Sequence, residues 1–549
     1  MPILKLLAQA LLLGVLAFAC ATPLPPEGGA LDETPPRLVE EASTPNFQTN
    51  FQKQVIELTF DEWVQLQDQN DQVLTSPLVE YELSIKRKTV RFEFAEEEVL
   101  EENTTYTINF GEAVKDITER NPADNLRFVF STGDYIDSLN VSGEMVDALS
   151  GEKVEDALFL LYTNLADTVV RKGRPFYFAR TDTSGRFLIE NVKEGVFKGF
   201  ALKESNRNYR FDQASEYIGF PDSFLVVHDT LEPFVQLKIF TEEPAFNRVF
   251  DDDSRYGLLR VAFNKVPPPQ LQFDYIDLNP DSSTLILEVQ PDTTKIWYDT
   301  QQNAGWKLAM QLDTVFYDTV RVRSRDRAEY LEKAKLTLDK KAPKGVQRLH
   351  PTQPINLLFN HPITRIDSGL IALYKDTLKT FLPIQIALDT NGQRKLSLSH
   401  KWVEGQKYEL EIQPGALTDI YGLSNDTLLF KYEVDLLKNY GNINFQVAGL
   451  SPDSAYVLEL LDKSNKLIQV FAIQGQETFK YAFQTLIAGD YVVRIISDWN
   501  ANGKWDTGNY DLKRQPEPIA LYPLEPLRAN WDLDSTIYLN GAKPESEGG

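Results

Sequence analysis

Apolar and polar residues alternate along most of the chain. Val55–Phe60 reads VIELTF, Thr89–Phe94 reads TVRFEF and Thr105–Phe110 reads TYTINF. Period-two alternation sends every second side chain to one face of an extended segment, so these runs predict half-buried strands. Polar clusters such as NPADN, ESNRN, NPDSS and DTNG punctuate them. Helical periodicity is rare, and Arg325–Lys335 (RDRAEYLEKAK) reads as either a short helix or a charged linker. Many short strands separated by turns predict an all-β chain of sandwiches.

The pattern also repeats, and the repeat sets the expected domain layout. VIELTF at 55–60, TYTINF at 105–110, Val114–Ile117 and Leu126–Phe130 recur in order as INLLF at 355–359, KYELEI at 407–412, Leu417–Ile420 and Leu428–Tyr432. This places a first sandwich at 37–133 and a cousin at 331–437. A looser pair opens at Asn140–Met145 and Asn442–Val447, giving units at 138–230 and 438–543. The stretch 234–328 carries strand signals, such as TLILEV at Thr284–Val289, but matches neither pair. It is read as an atypical β-domain. Pro267-Pro268-Pro269 argues against a central strand there, because proline lacks the N–H a ladder needs.

Composition narrows the class. The chain has 549 residues, 42% of them hydrophobic, too apolar for a disordered chain. Its formal net charge is −24, from 80 acidic and 56 basic residues. Such a surface repels nucleic acid and anionic lipid, so neither is an expected ligand. The single cysteine, Cys20, excludes an internal disulfide, and the domains must stand on their hydrophobic cores.

The amino terminus changes the expected location. Lys5 precedes an apolar run from Leu6 to Phe18, the n- and h-regions of a secretory signal, and the run is too short to span a bilayer comfortably. Ala17-Phe18-Ala19-Cys20 resembles a bacterial lipobox. The resemblance implies a signal peptide at 1–19, a covalent lipid with palmitate-type acyl chains on Cys20, and a proline- and glycine-rich lipidated tether at 20–36. Several acyl chains together anchor stably where one holds only marginally.

Pro26-Glu27-Gly28-Gly29 and Asp32-Glu33-Thr34-Pro35-Pro36-Arg37-Leu38, with the strands that follow, resemble the opening of Bacteroidetes-type outer-membrane lipoproteins that begin with a bacterial Ig-like domain. Thr181-Asp182-Thr183-Ser184-Gly185-Arg186-Phe187 resembles the carboxypeptidase-regulatory, transthyretin-like fold. The expected fold class is thus all-β, with tandem Ig-like and transthyretin-like β-sandwich domains. The resemblance covers the start well and the middle poorly, and it brings no catalytic residue. It implies a lipid-anchored envelope protein of the outer membrane, expected on the periplasmic face, with the cell surface as the alternative. It implies a scaffold or accessory subunit of an outer-membrane or periplasmic protein complex in assembly, secretion or transport. The alternative is a surface-exposed glycan-binding or adhesive lipoprotein.

One stretch carries candidate chemistry. Counting Asp498 as position one, Asn500, Asn502 and Asp506 fall at three, five and nine, Gly503 at six, and Lys504 offers its carbonyl at seven. Alternate residues turning oxygens inward around a glycine bend is the arrangement of a calcium loop. Position twelve is Asn509, where such loops usually carry a bidentate glutamate. The other reading is an ion-free hairpin loop held by Asx turns. Glu204, Asn206, Asn208 and Asp212 form a degenerate echo in the second unit, with Arg207 and Arg210 adding positive charge. Trp499 and Trp505 flank the first loop and are candidates for docking a partner or a neighbouring domain. The other tryptophans are expected in cores or seams. No enzyme is expected: the four histidines form no zinc motif, and there is no G-x-S-x-G elbow.

Overall fold

The computed structural model describes residues 32–229, 232–314, 316–341, 344–375 and 380–539. The expected signal peptide and Cys20, with its expected lipid, lie outside the described residues. The chain divides into two compact units, Met1–Ile239 and Phe240–Gly549.

The first unit opens with a sandwich. Ile56–Thr59, Thr89–Phe94 and Tyr81–Lys86 form one antiparallel sheet, and Leu74–Ser76, Thr105–Asn109 and Arg127–Ser131 form the facing one. A short ribbon pairs Val64–Leu66 with Val114–Asp116. The alternation seen in sequence is the alternation of burial: Val90, Phe92 and Phe94 point inward while Glu93 is exposed. Phe60, Phe92, Phe110, Phe128 and Phe130 fill the space between the sheets.

A second core follows, built on Val141, Phe159, Leu161, Phe187, Ile189 and Leu237. Its strand Leu139–Asp147 pairs antiparallel with Arg186–Val192 and parallel with Phe234–Thr241. Its other layer runs Tyr177–Arg180, Leu158–Tyr162, Gly195–Lys203 and Tyr217–Gly219. The seam between the two sandwiches is polar. Asn191 donates through Nδ2 to the Asp137 carbonyl at 2.7 Å and accepts from Thr107 Oγ1 at 3.2 Å.

Among the described residues, the second unit holds three cores. In the first, Arg248–Arg255, Leu258–Phe263, Thr293–Thr300 and Ser283–Val289 face Gln272–Ile276, Trp306–Leu312 and Phe316–Val322. No strand covers Pro267–Pro269. Arg327–Lys333 is a short helix rather than a charged linker. Asp326 caps it, its carboxylate accepting from Ala328 N at 2.8 Å and Glu329 N at 3.2 Å, which satisfies two amides a helix start leaves free.

The next sandwich reproduces the strand order of the chain's first. Ile355–Leu358, Lys395–Ser399 and Gln385–Leu388 form one sheet, Ile363–Ile366 pairs with Leu417–Asp419, and Ile371–Lys375, Lys407–Ile412 and Leu428–Val434 form the centre of the other, flanked by Thr380–Leu382 and Val346–Leu349. Tyr421 leaves this sandwich to pack into the preceding core, and its hydroxyl donates to the Gly257 carbonyl at 2.7 Å.

The last sandwich likewise repeats the strand pairings of the second core, without a counterpart of Leu225–Val227. Tyr440–Ala448 pairs antiparallel with Thr478–Ile487 and parallel with Asp532–Tyr538. Leu467–Gln474, Ala455–Asp462, Tyr491–Asp498 and Ile519–Pro523 form the other layer. Residues 204–216 and 499–518 are therefore equivalent connections between equivalent strands.

Candidate functional site

The strand Tyr491–Asp498 delivers Asp498 to the start of the last sandwich's long loop. Asp498 is 4% exposed. Its two oxygens accept from Asn502 N at 3.1 Å and Gly503 N at 2.8 Å. Asn500 Oδ1 accepts from Asn502 N at 3.1 Å, and Asn502 Oδ1 from Lys504 N at 3.0 Å, each an Asx turn that bends the loop inward. Both asparagine amides donate to Asp506 Oδ2, Asn502 at 2.8 Å. Ala501 and Gly503 sit in the left-handed region, at φ 57° and 78°. The structure thus brings Asp498, Asn500, Asn502 and Asp506 together, as their spacing predicts. The Lys504 ammonium lies 3.6 Å from Asp506 and its side chain is exposed.

Sequence reasoning missed Glu517. Asn509, at position twelve, closes its own turn with Arg514. Glu517 reaches back from the far end of the loop instead. It is 3% exposed and accepts from Trp499 N at 2.8 Å and Asp506 N at 2.9 Å. Burial holds its carboxyl above the ordinary range, Asp506 and Asp498 push it the same way, and the two N–H donors oppose them. Trp505 donates from Nε1 to the Glu517 carbonyl at 3.0 Å and is half-buried, so its polar end is spent inside the loop. Trp499 is 61% exposed.

The loop after Lys203 repeats this arrangement up to its closing glutamate. Glu204 takes the place of Asp498, accepting from Asn208 N at 3.0 Å and Tyr209 N at 2.9 Å. Asn206 Oδ1 accepts from Asn208 N at 3.3 Å and Asn208 Oδ1 from Arg210 N at 2.8 Å. Asn206 and Asn208 both donate to Asp212, at 3.4 and 2.7 Å. Arg207 and Tyr209 hold φ 58° and 57°, where the other loop has Ala501 and Gly503. Glu216 stands in for Glu517, its Oε2 accepting from Asp212 N and Gln213 N at 3.0 Å each.

A second buried polar group lies elsewhere in the later unit. His361, 2% exposed, bonds from Nδ1 to Asp419 Oδ2 at 2.7 Å and from Nε2 to the Tyr330 hydroxyl at 3.0 Å. Asp419 also accepts from Tyr421 N and Leu423 N, at 2.9 and 2.8 Å. His361 is a satisfied core histidine, orienting the seam that Tyr421 crosses. Among the described residues, no group of three or more His, Cys, Asp or Glu side chains is gathered to hold a metal. No helix among them is long and apolar enough to cross a membrane.

These sheets define an all-β chain of tandem Ig-like sandwiches. Residues 32–132 match the family described as the bacterial Ig-like domain. No curated protein matches the chain. Among solved structures, the major pilin subunit BcpA of Bacillus cereus is 10% identical, covering 73% of this chain and 99% of its own at a TM-score of 0.14. The N-terminal part of the bacterial S-layer protein SbsC is 12% identical over 36% of this chain and 46% of its own, at 0.19. The titin Ig tandem A164-A165 is 10% identical over 32% of this chain and 87% of its own, at 0.15. At TM-scores this low the superpositions say nothing about this chain's partners or activity.

Proposed function

We propose that the protein is a non-catalytic envelope lipoprotein of the Bacteroidetes type, held in the outer membrane by a lipid on Cys20. It acts as a scaffold or accessory subunit of a protein complex there, and the units beginning near residues 138 and 438 are of the transthyretin-like kind. What supports this reading is a set of sandwiches in a chain whose apolar run Leu6–Phe18 stops just before its sole cysteine. Repeated sandwiches suit reach and presentation, and binding sites on such scaffolds lie in the loops. The net charge of −24 favours the periplasmic protein partner over nucleic acid or an anionic lipid face.

Within this reading, calcium is the cofactor and the loop Asp498–Asp506 its site, with Asp498, Asn500, Asn502, Asp506 and the Lys504 carbonyl as ligands. The donors are all hard oxygens, which suits calcium, and the ion would pin the loop that presents Trp499. Trp505, its indole N–H already engaged, braces that loop.

Two experiments test the proposal. Cys20→Ser is expected to move the protein from the membrane pellet to the soluble fraction; a wild-type chain found soluble sinks the anchor. A pull-down in gentle detergent is expected to recover an outer-membrane protein in stoichiometric amount. Recovery of the chain alone, together with polysaccharide binding and protease accessibility on intact cells, overturns the scaffold in favour of a surface adhesin.

A further inference from the structure

Two arginines lie over the buried Trp297 ring, and they end differently. Arg394 has its guanidinium carbon 5.2 Å from the ring centroid, and each of its three nitrogens is bonded. Nε donates to the Phe359 carbonyl at 2.7 Å, one terminal nitrogen to Glu288 at 3.1 Å and the other to Asp339 at 2.5 Å. Arg255, the last residue of the strand Arg248–Arg255, lies 5.4 Å from the same centroid. Among the described residues its side chain makes no hydrogen bond and no ion pair, and its Nε is buried without a partner. An aromatic ring takes the face of a guanidinium and leaves its N–H edge free. A buried donor left unpaired is costly, so an arginine placed only to brace Trp297 is expected to end as Arg394 does.

Arg255 lines a cleft of about 580 Å³, bounded by the end of its strand, the helix Arg327–Lys333 and the turn at Asn360-His361. Clefts that hold small molecules run about 300–1,000 Å³. The lining carries Arg255, Arg325, Lys333 and Lys335 against Asp326 and Glu329, a net charge of +2 in a chain of net −24. Most of these groups are already engaged. Asp326 caps the helix, Glu329 pairs with Lys333 at 3.3 Å, and Arg325 donates from Nε to the Asp253 carbonyl at 2.6 Å. His361 is taken by Tyr330 and Asp419. Among the described residues, what remains unspent is the Arg255 guanidinium and the exposed Lys335 ammonium, both positive. The terminal nitrogens of Arg255 are neither buried nor bonded, so they are open where the side chain lines the cleft.

We infer that this cleft binds a small oxyanion-bearing molecule, whose carboxylate or phosphate group is held by the Arg255 guanidinium edge, with Lys335 adding positive charge. Two parallel N–H···O bonds from a guanidinium match either group, and bonds between ionised partners are roughly twice as strong as neutral ones. Trp297 holds the fork before the ligand arrives, so less side-chain freedom is lost on binding. The inference goes beyond the scaffold reading and depends neither on the Asp498 loop nor on a lipid at Cys20.

Full-length protein in gentle detergent is titrated by calorimetry with sodium succinate and, separately, with inorganic phosphate, at an ionic strength held constant with sodium chloride. One site is expected for at least one of the two anions. Binding of succinate alone assigns the carboxylate, binding of phosphate alone assigns the phosphate, and either result or both together support the inference. Arg255→Gln is expected to weaken binding by about tenfold or more, the loss of a charge-assisted hydrogen-bonded pair. Arg255→Lys is expected to weaken it by a smaller factor, since the charge stays and the fork goes. Binding of neither anion overturns the inference. So does binding that Arg255→Gln or Arg255→Lys leaves at wild-type strength, because diffuse charge rather than the guanidinium would then hold the anion. If Arg255→Gln does not fold, Arg255→Lys alone decides between these outcomes.

Discussion

The loops at 204–216 and 498–517 build one hydrogen-bond pattern from different residues. Position one is Glu204 in one and Asp498 in the other, and position six is Tyr209 against Gly503. The closing glutamate comes 4 residues after Asp212 but 11 after Asp506. The pattern is therefore set by alternate side chains folding inward onto backbone amides, and each position tolerates substitution as long as an oxygen arrives. What differs is satisfaction. The later loop closes both oxygens of Glu517 on backbone N–H groups, and the earlier one leaves Glu216 Oε1 without a hydrogen bond among the described residues.

The strongest way to break the comparison is at position one. Asp498→Ala leaves two backbone donors without their charged acceptor at a buried site, a loss of about 2–4 kcal/mol. Glu204→Ala removes the same two bonds from a half-buried residue and is expected to cost about half as much. Urea unfolding of each variant measures both; equal losses would mean that burial is not what separates the loops.

Position six gives a smaller effect. Gly503→Ala forces a Cβ into φ 78°, at about 1 kcal/mol. The nearest atom to that Cβ is Ala472 Cβ at 3.9 Å, so the cost is backbone conformation and not a clash. The earlier loop already carries this strain in Tyr209. A thermal shift for Gly503→Ala indistinguishable from zero would remove the argument for glycine there.

The pH dependence is expected to be smaller still, because the N–H donors to Glu517 oppose its shift. The folded-state pKa of Glu517 is raised above its ordinary value of 4.5. Between those two values the folded chain binds the proton that the unfolded chain has lost. Stability from this group is therefore greatest at acid pH and falls as pH rises through the folded pKa. Glu204 is raised too and carries the same sign. Wild type minus Glu517→Gln, measured as melting temperature against pH, should decline from pH 4 upward over that window; a difference that rises with pH contradicts the burial argument. The smallest effect belongs to Arg207→Ala. Its ion pair with Asp71 joins two well-exposed side chains and is worth about 0.5 kcal/mol or less, lost at high salt.

Much of the strand pattern was legible. TVRFEF is the strand Thr89–Phe94 end to end, and VIELTF contains Ile56–Thr59. Period two survives because one face of each sheet is buried and the other wet. The helix at Arg327–Lys333 was ambiguous because seven residues make too short a periodic signal, and the Asp326 cap decides it. Tryptophan positions were less legible. Trp297 and Trp306 are core residues, but Trp63, Trp499 and Trp531 are largely exposed, since bulk alone does not say which face of a strand or loop a ring occupies.

The sequence by itself determined the all-β class, the alternation that builds each core, and the oxygen spacing of the Asp498 loop. All of these are local, written within a few residues of one another. Only the tertiary structure decided that Glu517 and Glu216 close those loops, that His361 meets Asp419 and Tyr330, and that Glu216 Oε1 has no hydrogen bond among the described residues. Those facts depend on side chains brought together by strand pairing, and on what burial then withholds from water.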